Sequence, residues 1–204
     1  ENNLASMYQH GRGVEKDLAQ AVQWYRRSAQ HGDPVGQCNL ASLYFTGEGL
    51  PRDDSEAARW FKAAAEQGLP VAQDNLAFMY YNGRGVPRDY EQAAVWTLRA
   101  AEQGYAQAQT DLGYLYEQGK GVSLNYVAAY TWYHLAAAGG DRRAASRMKS
   151  LSSIMTHEQV TTASAGADST KPEPDSYVPH EMSPQAPRSD PAALTRPWPG
   201  PFSN

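Results

Sequence analysis

The chain has 204 residues, 41% of them hydrophobic, with 18 basic against 22 acidic side chains and a formal net charge of −4. Its basic residues are dispersed rather than gathered in runs, which leaves no electrostatic footprint for nucleic acid. Cys38 is the single cysteine, so an intramolecular disulfide and a multi-cysteine zinc site are excluded, and no run of 18 apolar residues offers a helical membrane span.

Glu1 aligns with Gln37 one period later, so the chain is expected to begin inside a helix and reads as a fragment or processed product. Leu4 and Tyr8 lead to Gly11-Arg12-Gly13-Val14. The same signal returns as Gly47-Glu48-Gly49-Leu50, Gly83-Arg84-Gly85-Val86 and Gly119-Lys120-Gly121-Val122, each 36 residues after the last. Other columns keep that interval: Leu4, Leu40, Leu76 and Leu112; Tyr8, Tyr44, Tyr80 and Tyr116; Trp24, Trp60, Trp96 and Trp132; Ala29, Ala65, Ala101 and Ala137. Gly32, Gly68, Gly104 and Gly140 close the copies.

The second copy, Asp33 to Gly68, shows the unit. Asp33 before Pro34 is an N-cap followed by a residue whose fixed φ suits the first helical position. Gly36, Leu40, Leu43 and Tyr44 then lie on one helical stripe that stops at Gly47, where glycine can take the left-handed conformation that ends a helix. Leu50 is expected beneath the loop. Asp53 with Glu56 starts a second helix as a capping-box-like pair, echoed by Asp17 with Gln20 and Asp89 with Gln92, and Ala57, Trp60, Phe61, Ala64 and Ala65 form its apolar side. Helices of about 13 residues are marginal alone in water, so the pairs must stack and bury both stripes against one another. The Gly-x-Gly signal is therefore a turn between helices. A phosphate loop would follow a strand and carry further glycines or a Lys-Ser/Thr pair, and Val86, Pro87 and Arg88 stand there instead.

After four copies, over 1–140, a degraded fifth follows at 141–163. Ala144, Met148 and Leu151 occupy the first-helix columns, and Thr156 with Gln159 predicts one more capped helix, His157 to Ala163, closing the stack. From 164 to 204 no apolar period remains. Nine of the 13 prolines lie from Pro172 onward, which predicts a disordered tail, within which Pro197, Trp198, Pro199, Gly200, Pro201 and Phe202 form a proline-aromatic segment of the kind extended-peptide receptors read.

Leu-Ala-x-x-Tyr, Gly-x-Gly-Val, Asp-x-x-x-Ala and Trp-Tyr-x-x-Ala-Ala at this period resemble the Sel-1-like repeat, a relative of the tetratricopeptide repeat of about 34 residues. The resemblance implies an all-α solenoid of antiparallel helix pairs that scaffolds protein complexes in bacterial signalling or envelope regulation, with no enzyme activity and no cofactor. It also implies that the first helix of each pair lines a concave surface. The residues opposite the core stripe there are Cys38, Asn39, Ser42 and Phe45; Asp74, Asn75, Phe78 and Tyr81; Thr110, Asp111, Tyr114 and Glu117; with Asn3, Ser6 and Gln9 extending the row. The expected groove for a partner peptide or helix consists of Asn39, Ser42, Phe45, Asn75, Phe78, Tyr81, Asp111, Tyr114 and Glu117, its rings standing on the solvent face as candidate hot spots. No nucleic acid and no small-molecule substrate is expected, and the compartment, periplasm or cytoplasm, is left open.

Two other readings compete. Ser146-Arg147-Met148-Lys149 spells the Ser-x-x-Lys of penicillin-recognising hydrolases, although the accompanying Ser-Asp-Asn and Lys-Thr-Gly are absent. The penicillin binding described for cysteine-rich members of the family does not carry over, because their paired cysteines are missing. A self-associating structural spacer is the third reading. The five histidines, His134 among them, are isolated and form no metal motif.

Overall fold

A computed structural model describes residues 1–169. The disordered tail expected over 164–204 is helical as far as Ser169, and the rest of it, including the Pro197 to Phe202 segment, lies outside the described residues. Among those residues every regular element is an α-helix: α1 (Asn2–His10), α2 (Leu18–Gln30), α3 (Pro34–Thr46), α4 (Asp54–Glu66), α5 (Pro70–Asn82), α6 (Tyr90–Glu102), α7 (Ala106–Gln118), α8 (Tyr126–Ala138), α9 (Arg142–Ser152) and α10 (His157–Ser169). This is the all-α fold of paired helices that the 36-residue period predicts.

Each first helix stops where the sequence says it must. Gly11, Gly47, Gly83 and Gly119 adopt left-handed φ of 62–76°, and each returns its N–H to a carbonyl in the last turn, as Gly47 does to Leu43. The second glycine has a different task. A Cβ on Gly85 would stand 2.0 Å from the Asp54 carbonyl oxygen, and one on Gly121 1.9 Å from that of Tyr90. The loop therefore lies directly on the N-terminus of the preceding repeat's second helix, at a distance only glycine permits.

The second helices begin at side-chain caps. Asp17, Asp53, Asp89 and Asn125 each accept a bond from an N–H in the first turn. The reciprocal arm of a capping box is missing at Asp53, because its own N–H donates to the Tyr44 carbonyl at 2.9 Å while Glu56 turns to Arg59. Asp17 and Asn125 are tied in the same way to Tyr8 and Tyr116. The cap thus stitches the second helix of a pair to the end of the first. At α10 the full box does form: Gln159 N–H donates to Thr156 Oγ1 and Thr156 N–H to Gln159 Oε1.

The chain divides into two compact units, Glu1–Arg88 and the portion from Asp89 onward. In the first, α2 packs on α1 and α3, and α4 on α3 and α5. Its core holds Ala21, Tyr25, Leu40 and Leu43, with Tyr8, Trp24, Tyr44, Leu50 and Trp60 around it. In the second unit α7 lies between α6 and α8, and α8 also packs on α9 and α10. Ala129, Tyr133, Ala144, Leu151 and Ala163 form that core.

Two expectations need correction, and the Trp column lies shallower than its neighbours: Trp24, Trp60 and Trp132 are half-buried, and an arginine covers Trp24, Trp60 and Trp96. The fully enclosed column lies one residue on, at Tyr25, Phe61 and Tyr133. The last helix runs past Ala163 to Ser169, because Ala163 and Ala167, one turn apart, both reach the core. Finally, the first helices have no broad solvent face. Nine consecutive residues of α3, Val35 to Leu43, are buried, as are the nine from Val71 to Met79 of α5.

Candidate functional site

Each of the nine predicted partner-binding residues belongs to one unit or the other. In the first unit, Asn39 and Ser42 are almost fully enclosed, at 1% and 3% exposure. Asn39 Nδ2 donates to Asn2 Oδ1 of α1 at 2.9 Å, and Ser42 Oγ to the Cys38 carbonyl one turn back. One repeat further on, Asn75 holds the place of Asn39. Asn39 Oδ1 and Asn75 Nδ2 are buried and have no hydrogen-bond partner among the described residues. A stranded buried polar group costs about 1–3 kcal/mol.

Phe45 and Phe78 are buried, so they are not rings standing in solvent, whereas Tyr81 is half-buried. The reason is mutual packing: the two phenyls meet edge to face at 5.8 Å, and the Arg84 guanidinium lies 3.9 Å from the Phe45 centroid and 6.0 Å from that of Phe78. Arg84, between the glycines of the third loop, was not singled out by sequence reasoning. Its signal was the variable letter in an otherwise constant Gly-x-Gly, occupied in turn by Arg12, Glu48, Arg84 and Lys120. Arg84 Nε and Nη2 donate to both oxygens of Asp54 at 2.9 and 2.8 Å, and Arg52 Nε and Nη2 reach the same carboxylate at 3.1 Å. These bonds, that from Arg84 foremost, pull the Asp54 carboxyl down to about 2. Glu48 holds the matching loop position in the preceding repeat, receiving Gln9 Nε2 at 3.3 Å and Lys16 at 3.9 Å.

In the second unit, Asp111 is 1% exposed and accepts two bonds from Gln107 Nε2 at 2.9 and 3.0 Å. Gln107 Oε1 in turn accepts from Arg143, which also grips Asp141. Burial pushes the Asp141 carboxyl up, but bonds from Arg143 and Thr110 outweigh it and leave it below the ordinary range. Tyr114 is half-buried, with Arg147 at 4.8 Å and Lys120 at 5.8 Å from its ring. Glu117 does not face a groove alone. It receives the Tyr133 hydroxyl at 2.5 Å and Arg147 Nη1 at 3.3 Å, and burial with this neighbouring carboxylate raises the Tyr133 phenol.

In the first and fourth repeats the residue that follows the Trp-column position sits opposite this stretch of the first helix. Where the first helix offers an acceptor, Gln9 or Glu117, the second supplies a hydroxyl, Tyr25 or Tyr133. In the second repeat the same two repeat positions hold Phe45 and Phe61, both buried. Burial raises Tyr25 to about 12, so its hydroxyl stays protonated and donates. Cys38 is likewise pushed up to about 12 by burial, an unreactive thiol inside α3.

The hydrolase reading finds no support. Ser146 and Lys149 are exposed on α9, and the Ser146 carbonyl merely accepts the Ser150 hydroxyl one turn on. Among the described residues no three His, Cys, Asp or Glu side chains gather as a metal site, and no helix is long and apolar enough to cross a membrane. His134, on α8, is half-buried with its ring edge-on to Tyr130.

The sequence matches the model of the Sel1 repeat four times, at residues 1–33, 34–69, 70–105 and 106–141. No curated protein matches it. Among solved structures it resembles c5321, a protective antigen of uropathogenic Escherichia coli displaying an SLR fold, at 34% identity and a TM-score of 0.77 over 83% of this chain and 36% of that one. It also resembles a Sel1 repeat protein from Oxalobacter formigenes, at 38% identity and 0.67, over 73% of this chain and 43% of the other. The chain thus spans less than half the length of either. Helicobacter pylori cysteine rich protein B shares the fold at 24% identity and 0.52, covering 67% of this chain and 98% of that one.

Proposed function

The chain belongs to the Sel1 repeat family, and from that premise we propose that each unit holds a partner protein segment on its own first helices, α3 and α5 in the first unit and α7 in the second. Proteins of this family generally mediate protein–protein interaction as non-catalytic scaffolds. The setting we infer is bacterial signalling or envelope regulation.

The observation that carries this reading is the amide column of the first unit. Asn39 and Asn75 occupy the same position one repeat apart, both more than nine-tenths buried, one with an oxygen and the other with an N–H group left unpartnered. Folding alone gains nothing from such groups. A peptide main chain offers the complementary donor and acceptor; because both atoms are closed off from solvent, it reaches them only when a neighbouring side chain turns aside, and binding then recovers what folding leaves unsatisfied. In the second unit Asp111 holds the matching repeat position, on the same helix as Tyr114 and Glu117.

The test separates binding from stability. A phage-displayed library of 12-residue peptides is selected on the immobilised protein, and the best peptide is measured against wild type and Asn75→Ala. Binding is expected to weaken at least about tenfold, near the loss of one or two hydrogen bonds, while Tm holds or rises because a stranded donor has been removed. Unchanged binding with a lowered Tm would show the amide to be structural and sink the reading.

A further inference from the structure

Resting on that reading, we propose that the segment received by the first unit is acidic, and that a carboxylate on it is taken by the third nitrogen of Arg84. The guanidinium is fixed on two sides. One edge, Nε with Nη2, is held by Asp54, and the plane lies against Phe45. Nη1 remains, with two N–H donors and no acceptor among the described residues, on a side chain still 23% exposed. Arginine keeps its charge at any working pH, so those donors always seek an anion or a carbonyl.

Charge balance decides between the two. Asp54 is a single carboxylate already receiving four N–H bonds from two guanidinium groups. The three side chains Arg52, Asp54 and Arg84 therefore carry one positive charge in excess, with Arg52 58% exposed, while the neighbouring Asp53 is engaged by the first N–H groups of α4 and Glu56 by Arg59. An incoming carboxylate neutralises that excess and can bond Nη1 directly, whereas a neutral carbonyl leaves the charge uncompensated. The loop position itself points the same way. Its glycines are constant because the backbone demands it, yet its middle residue is Glu48 one repeat earlier and Arg84 here. A position that can change sign without disturbing the turn can set which ligand charge is accepted.

The probes are acetylated, amidated hexaglutamate and hexaglutamine, titrated into the whole protein with the arginine side-chain N–H resonances followed by NMR. Hexaglutamate is expected to shift the Arg84 Nε–H signal and hexaglutamine to leave it in place. Affinity for hexaglutamate should fall about tenfold in Arg84→Gln, about threefold in Arg84→Lys, and less in Arg52→Gln. Arg84→Lys keeps the ion pair with Asp54 and serves if the glutamine variant does not fold. Equal shifts from the two peptides, or wild-type affinity in Arg84→Lys, would overturn the proposal. Library-selected peptides that lack Asp and Glu yet depend on Asn75 would overturn it too, while leaving the broader binding function intact.

Discussion

Asp54 is the residue whose chemistry most clearly depends on the fold. Its pKa of about 2, against about 3.9 for a free aspartate, comes from Arg84 and Arg52. The shift is downward, so its contribution to stability is present above about pH 4 and disappears as pH falls through 2. Tm measured from pH 6 to pH 2 should therefore drop more steeply for wild type than for Asp54→Asn, which starts lower, by about 1 kcal/mol, and has no such carboxylate to protonate. Parallel curves would show that the ion pair contributes nothing. The glycines offer a paired comparison. Gly68 and Gly85 both have positive φ, yet a Cβ meets nothing within 4 Å at Gly68 and backbone at 2.0 Å at Gly85. Gly68→Ala should cost about 1–2 kcal/mol from its backbone conformation alone, and Gly85→Ala visibly more in a urea melt, because the loop must also lift from Asp54.

At the scale of elements, the pairs α1–α2 and α7–α8 are closed by two devices, the cap that stitches helix to helix and the side-chain match across it, and α3–α4 shares the first of them. Asp53→Ala removes the acceptor for two N–H groups at the start of α4, and about 1 kcal/mol of stability should go with it. Tyr133→Phe strips the donor from Glu117 while leaving Arg147 in place, with an expected cost of about 1–2 kcal/mol in chemical denaturation. Phe61→Tyr in the second repeat asks the reverse question: the repeat position that holds Gln9 or Glu117 elsewhere holds Phe45 here and offers the new hydroxyl no acceptor, so a loss of similar size is expected. A neutral result for either ring would mean that the pairing of acceptor with hydroxyl is incidental. The caps of α2, α4 and α6 were readable in advance because Asp17, Asp53 and Asp89 each stand six residues after the first glycine, and that of α10 because Gln159 stands three residues after Thr156. The reciprocal half of the box at Asp53 was not, since its N–H is claimed by a carbonyl nine residues back along the chain.

At the scale of the whole molecule, among the described residues, α10 contributes Ala163 to the hydrophobic cluster built around Ala129 and Tyr133 of α8. We predict that ending the chain at Ser153 uncovers α8, lowers Tm and raises binding of the apolar dye ANS; an unchanged melt would show that α10 does not cap the stack. The sequence by itself determined the repeat length, the helix pairs, their stops and most of their caps. Those follow from local rules, one residue or one turn at a time. It also picked out the columns of Asn39, Phe45, Asn75 and Phe78 as distinct from the leucine stripe. Only the tertiary structure decided that these side chains are enclosed, that the tryptophans lie shallower than the rings beside them, and that Arg84 reaches back 30 residues to Asp54. A single helix's period divides an apolar side from a polar one, but it carries no information about how many neighbours press on the polar side, and in stacked pairs that side is covered as well.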